Sequence, residues 1–163
     1  MEFKGKTEKE QTEELAAALF AKFRFGTGNF TLRLCAPDDS IDVIINDEIR
    51  AQVVRAGSGE YYHRNRARNL TTTVSPIYQV CSAIEHKIFD KKHPNNVQKY
   101  SDIDKLVLLV LCEMSSGAFT LLETHRKKIT ECINTHFEGK KIFQEIWAVH
   151  RKENPIKVIK LYP

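Results

Sequence analysis

The chain is short of the residues that build special chemistry. Its 163 residues include only four cysteines, Cys35, Cys81, Cys112 and Cys132. None are spaced as CxxC or as a zinc-ligand set, and each sits in an apolar context. They read as buried reduced thiols rather than as disulfides or a metal site. No apolar run approaches the roughly 20 residues of a membrane span, so no membrane association is expected. The N-terminal stretch MEFKGKTEKEQTEE is polar and charged and lacks the apolar centre of a signal peptide. Together with the reduced thiols, this points to the cytoplasm. A glycine-rich phosphate loop, GxSxG, HExxH and a Cys/His nucleophile pair are also missing, which removes the corresponding enzyme classes. There is no internal repeat, linker or low-complexity tract.

What is present suits one soluble domain spanning 1–163. Hydrophobic residues make up 42% and charged residues 28%, enough apolar material for a core in a chain of this length. The net charge of +4 admits nucleic acid as a partner without requiring it.

In chain order, Leu15, Leu19 and Phe23 recur at helical spacing around Ala16–Ala18, predicting a first helix over about 8–24. Gly26 and Gly28 end it. Phe30–Cys35 alternates and reads as a strand, Pro37–Ser40 as a turn, and Ile41–Ile45 as a second strand. Asn46 and Asp47 suit a tight turn into a third strand over Glu48–Arg55. That strand places Glu48, Arg50, Gln52 and Val54 on one face and Ile49, Ala51 and Val53 on the other. A two-residue turn sets Asp42 opposite Ala51, and a three-residue turn sets it opposite Gln52. The sequence leaves both open, and a one-residue slip flips every side chain.

Residues 57–74 lack apolar periodicity and read as a long loop. Ser75-Pro76 starts a helix with a Ser cap and Pro at the first position, and Ile77, Val80, Ile84 and Ile88 stripe it to about Phe89. Leu106–Cys112 is a continuous apolar run, the mark of a strand buried on both faces. A third helix is expected over about Ala118–Phe137, a strand over Phe143–Val149, and an edge strand over Ile156–Leu161 with Lys157 and Lys160. The helical crossovers are long enough for parallel neighbours. The expected architecture is α/β, a mixed central sheet flanked by helices in the order α-β-β-β-α-β-α-β-β.

Two charge features stand out. Asp42 is the one charged residue among isoleucines and valine, and a buried carboxylate needs a partner or a metal. The loop carrying His63, Arg64, Arg66 and Arg68 beside Tyr61 and Tyr62, with Arg55 just before it, concentrates cations and aromatics that can hold phosphates and stack on bases. Lys87, Lys91, Lys92, His93 and Lys99 form a second basic cluster.

This element order, with KKHPNNVQKYSDIDKLVLLVL before the apolar strand and an FQEIWAV strand near the end, resembles the restriction-endonuclease-like fold of the PD-(D/E)XK nuclease superfamily. The resemblance covers most of the chain. Its core is α-β-β-β-α-β, with a metal-binding acid on the second strand and an acid and a lysine on the third. It implies a nucleic-acid-binding protein, DNA or RNA, that hydrolyses phosphodiesters with Mg²⁺ or Mn²⁺, and it is compatible with a homodimer. Carried over residue by residue, Asp42 takes the second-strand acid, with Pro37-Asp38 as the rival spelling. Gln52 takes the third-strand acid position and Val54 the lysine position, while Glu48-Ile49-Arg50 offers an alternative alignment. Glu14 on the first helix supplies the extra acid some members use. The catalytic pair so implied is Asp42 and Gln52, with Glu14 and Glu48 as further metal ligands. Arg55, His63, Arg64, Arg66, Arg68 and Lys99 are the implied nucleic-acid contacts. A neutral Gln52 and an apolar Val54 depart from the family motif. They raise the alternative of an inactive nuclease-like module that binds nucleic acid or protein.

Overall fold

A computed structural model describes residues 6–36, 41–57, 75–92, 106–137 and 143–163. It contains α1 (Glu8–Phe25), β1 (Leu32–Leu34), β2 (Val43–Ile45), β3 (Ile49–Ala56), α2 (Pro76–Lys92), β4 (Val107–Cys112), α3 (Ser116–Thr124), α4 (Arg126–Phe137), β5 (Glu145–His150) and β6 (Val158–Tyr162).

The six strands form one sheet in sequential order, β1 to β6. The first three are joined antiparallel, β3, β4 and β5 run parallel, and β6 returns antiparallel. All six residues of β4 are buried, as the uninterrupted apolar run predicts for a central parallel strand. Its side chains alternate between two cores. Leu108, Val110 and Cys112 pack with Val80, Ile84, Phe119, Leu122, Ile129 and Ile133 from α2, α3 and α4. Val107, Leu109 and Leu111 pack with Ala16, Ala17, Leu19 and Phe20 from α1. Two consecutive crossovers that advance the same way across a sheet fall on the same face when both are right-handed. Among the described residues, this leaves the opposite face to α1 alone.

Local chemistry explains why α1 begins where it does. Thr7 is its N-cap, with Thr7 Oγ1 accepting from the Glu10 amide at 3.2 Å while the Glu10 carboxylate accepts from the Thr7 amide at 3.4 Å. This reciprocal pair satisfies two donors that have no partner inside the helix. Alanines at 16, 17 and 21, all fully buried, let the helix lie close on the sheet.

The β2–β3 turn settles the register. Asn46 and Asp47 both adopt positive φ, 53° and 54°, a conformation Asn and Asp tolerate better than other non-glycine residues. The Glu48 amide closes the turn on the Ile45 carbonyl at 3.0 Å. Ile45 then faces Ile49 and Val43 faces Ala51. This is the three-residue option, which points Asp42 toward Gln52, but the ladder stops at Val43 and the Asp42 amide bonds the Ala51 carbonyl at 3.0 Å.

The expected single helix over 118–137 is two. His125, at φ −104° and ψ 18°, caps α3 and breaks the helical path before α4. Phe119 and Leu122 on one side and Ile129, Ile133 and Phe137 on the other reach the same core, so their continuous spacing hides the joint. Among the described residues, no helix is long and apolar enough to cross a membrane.

Phe20 has no exposed surface, whereas its helix neighbour Phe23 is 52% exposed. Phe20→Ala is expected to lower unfolding free energy by about 3–5 kcal/mol through lost burial and the cavity left behind. Phe23→Ala should cost less than about 1.5 kcal/mol. Urea titration checks both, and equal losses would contradict the packing described.

Candidate functional site

The ladder between β2 and β3 ends at Val43 and Ala51, so the second half of β3 continues without β2 beside it. Asp42 deals with the first exposed donor. Its carboxylate Oδ2 accepts from the Val53 amide at 2.9 Å, and its own amide bonds the Ala51 carbonyl at 3.0 Å. A side chain thus takes the place of the next ladder hydrogen bond. Buried amide groups need such partners.

Beyond Asp42, a cavity of about 600 Å³ opens between α1, β3 and α2. One wall is the N-terminal half of α1, with Glu8, Lys9 and Glu13. The floor is Val53–Arg55, and the far wall is α2, with Gln79, His86 and Lys87. Gly57 lets the chain leave β3 at this rim. It holds φ at +86°, and a Cβ there would come within 3.1 Å of Gln79 Oε1. A side chain at 57 would meet both backbone strain and crowding.

Glu13 is the electrostatic centre. It is 5% exposed, and burial first, then the charge of Asp42, push its carboxyl up to about 7. Glu10 adds to this, while Lys9 and Lys87 oppose it. The Lys9 ammonium stands 3.7 Å from Glu13 Oε1. Two acids from different elements therefore interact beside a cavity that also carries lysines from both walls. A carboxyl so raised beside a cavity is a mark of functional sites.

The sequence-derived candidates fall into several groups. Asp42 bonds the β3 backbone on either side of Gln52, at the Ala51 carbonyl and the Val53 amide, and Gln52 is buried at 3% exposure. Glu14 does not line the cavity; it pairs with Lys6, and its neighbour Glu13 lines the wall instead. Glu48 is exposed in the hairpin turn, five residues before Val53, so roughly 16 Å away along the strand. Arg55 lines the cavity, and its guanidinium bonds Glu113 Oε1 through Nε at 2.7 Å and Glu8 Oε1 through Nη1 at 2.9 Å. Its charge is already balanced by two acids. Val54 packs against the α2-side core. Asp38, His63, Arg64, Arg66, Arg68 and Lys99 lie outside the described residues.

Sequence reasoning missed Glu13 and Lys87 as partners in one site. A signal for Glu13 was available. Positions 13, 16, 17 and 20 share one helical face, and Glu13 is the only charge on that otherwise apolar stripe, while Glu14 is turned about 100° away. The second basic cluster marks Lys87 only as one cation among several; its place at the cavity depends on α2 facing α1 across β3.

Glu13 and Asp42 could offer carboxylate oxygens to a divalent cation, whereas Gln52 shares the face of β3 that packs toward α2, and neither Asp42 nor Gln52 lines the cavity itself. Among the described residues, no three His, Cys, Asp or Glu side chains are grouped closely enough to hold one by themselves.

The sign of the pH effect follows from Glu13. Its ordinary value of 4.5 is raised to about 7 in the folded chain. The folded protein therefore holds more protons than the unfolded chain between those values and loses stability as pH rises through that window. Glu13→Gln should remove this slope and be about 2 kcal/mol more stable than the parent at pH 8. Thermal unfolding at pH 5, 6, 7 and 8 checks this, and parallel curves for the two proteins would contradict it. Asp42→Ala leaves the Val53 amide without its acceptor and should cost about 1–3 kcal/mol. Asp42→Asn keeps an oxygen there and should cost less than about 1 kcal/mol. Both should bring the Glu13 titration back toward 4.5, which carboxyl-carbon NMR reads directly.

No protein-family model, no curated protein and no solved structure matches the chain, so its own residues carry the argument for the site.

Proposed function

We propose that this chain is a nucleic-acid-binding protein of the restriction-endonuclease-like fold, whose cavity between α1, β3 and α2 hydrolyses phosphodiesters with Mg²⁺ or Mn²⁺. The observation that carries the reading is the Glu13–Asp42 pair. A buried carboxyl raised to about 7 by burial and by a neighbouring acid would be relieved by a bound cation. Support also comes from the element order α-β-β-β-α-β over α1 to β4 and from the Asp42 bonds to β3 at Ala51 and Val53.

The donor set fits a hard divalent ion. Glu13 and Asp42 would hold it through their carboxylates. When bound, such an ion polarises a phosphoryl oxygen and lowers the pKa of a coordinated water. Other roles belong to the chain. Lys87 stands in for the third-strand lysine that Val54 cannot supply, and with Lys9 it offsets phosphate charge at the cavity. The Asp42 bond to the Val53 amide fixes that carboxylate in place. His63, Arg64, Arg66, Arg68 and Lys99 supply the contacts along the nucleic-acid backbone.

A second reading has its own support. Val54 packs into the core and Gln52 is neutral, which favours a module that binds nucleic acid without cutting it. One experiment separates the two. Labelled single- and double-stranded oligonucleotides, DNA and RNA, are incubated with Mn²⁺ and the parent protein, Glu13→Gln, Asp42→Asn or Lys87→Ala. Binding is titrated at two salt concentrations. The catalytic reading expects cleavage by the parent and a loss of about 100-fold or more in each variant, with binding that weakens as salt rises. Salt-sensitive binding with no cleavage selects the non-catalytic module. Cleavage that all three variants retain overturns the site, and the absence of salt-sensitive binding overturns both readings.

A further inference from the structure

The opposite side of α2 carries a feature that the cavity does not use. Cys81 on α2 and Cys132 on α4 are neighbours across the two helices, and the nearness of Cys132 helps to push the Cys81 thiol up. A second contact fixes the same geometry one helical turn on. His136 Nε2 of α4 stands 3.8 Å from Glu85 Oε2 of α2. Each partner lies four residues beyond its cysteine, so α2 and α4 run side by side in the same direction and in register. The sheet requires this, because α2 leads into β4 and α4 leads toward β5, and those strands are parallel. Val80 and Ile84 of α2 pack with Ile129 and Ile133 of α4 in one core, which holds the two helices together. All four cysteines are free thiols, but Cys112 has no exposed surface and Cys35 lies beside β1 at the far edge of the sheet.

We propose that Cys81 and Cys132 are an oxidation site, converted by hydrogen peroxide into an intramolecular disulfide that ties α2 to α4. The Cys132 thiolate attacks one peroxide oxygen, forming an S–O bond as the O–O bond breaks. The departing hydroxide takes up a proton and leaves as water. Cys132 is then a sulfenic acid. The Cys81 sulfur attacks the Cys132 sulfur, the S–S bond forms, and the S–O bond breaks. The hydroxide so released takes the Cys81 proton and leaves as a second water. Two thiols and one peroxide give one disulfide and two waters. The order follows from environment. Burial, and then the neighbouring Cys132, push the Cys81 thiol up to about 12, which disfavours it in the first attack; in the second step its nearness to the Cys132 sulfur makes it the resolving partner. The cross-link fixes the helix that supplies His86 and Lys87 to the cavity. The proposal does not depend on what the cavity binds.

The test uses the whole chain, reduced, freed of reductant and treated with an equimolar amount of hydrogen peroxide. It is then denatured in the presence of N-ethylmaleimide, digested and mapped by mass spectrometry without reduction. The expected result is a linked pair of peptides containing Cys81 and Cys132, lighter by two hydrogen atoms and separated by dithiothreitol, with Cys35 and Cys112 alkylated. The melting temperature of the oxidised protein should rise by roughly 5–10 °C, because the bond closes a loop of about fifty residues. In Cys132→Ser, Cys81 should be oxidised at least about tenfold more slowly. Recovery of Cys81 and Cys132 as separately alkylated or separately sulfinated residues would overturn the proposal. So would a cross-link that joins two molecules. The mapping is done on the parent protein, so the outcome stands even where a variant fails to fold.

Discussion

Burial of β4 on both faces is the constraint from which the rest of the architecture follows. Val107 to Cys112 place six apolar side chains alternately above and below the sheet. Neither set can be left in water, since each large side chain is worth about 1.5–3 kcal/mol of burial. Helices must therefore cover both faces. The two crossovers that deliver β4 and β5 place α2, α3 and α4 on one face, and among the described residues α1 is the helix that covers the other. Its alanine-rich stripe with Leu19 and Phe20 meets Leu109 and Leu111.

The cavity is a by-product of how that sheet is assembled. β2 ends its pairing with β3 early, and the Asp42 carboxylate takes over the next amide. The uncovered half of β3 then becomes a floor, with α1 on one side and α2 on the other. Glu13 is carried inside because it shares a helical face with Ala16, Ala17 and Phe20. Burial and the nearby Asp42 raise its proton affinity at some expense in stability near neutral pH. A buried acid kept at such a cost, beside lysines from two helices, is the kind of local conflict that accompanies binding and catalysis. Arg55 behaves differently. Bracketed by Glu8 and Glu113, it fastens the start of α1 to the exit of β4.

α2 serves two surfaces at once. Gln79, His86 and Lys87 face the cavity, while Cys81 and Glu85 face α4. A bond formed on one side would hold the other in place, because a packed helix moves as a body.

Much of the fold was legible in single residues. Ser75-Pro76, the Leu106–Cys112 run, the Asn46-Asp47 turn and the apolar stripe of α1 each have a local cause, and the elements they predict exist within a few residues. The joint at His125 was not legible, because apolar spacing continued across it. At the site, Asp42 was visible as a lone charge among branched apolar residues, and its place beside Gln52 was visible only as one of two registers. The sequence by itself determined which segments become strands and helices and which of their faces are apolar, since backbone preference and side-chain periodicity are local. Only the tertiary structure decided that register, chose Glu13 over Glu14, brought Lys87 across from α2 and set Cys81 beside Cys132. These depend on distances between elements far apart in the chain, and burial and charge act through space rather than along the sequence.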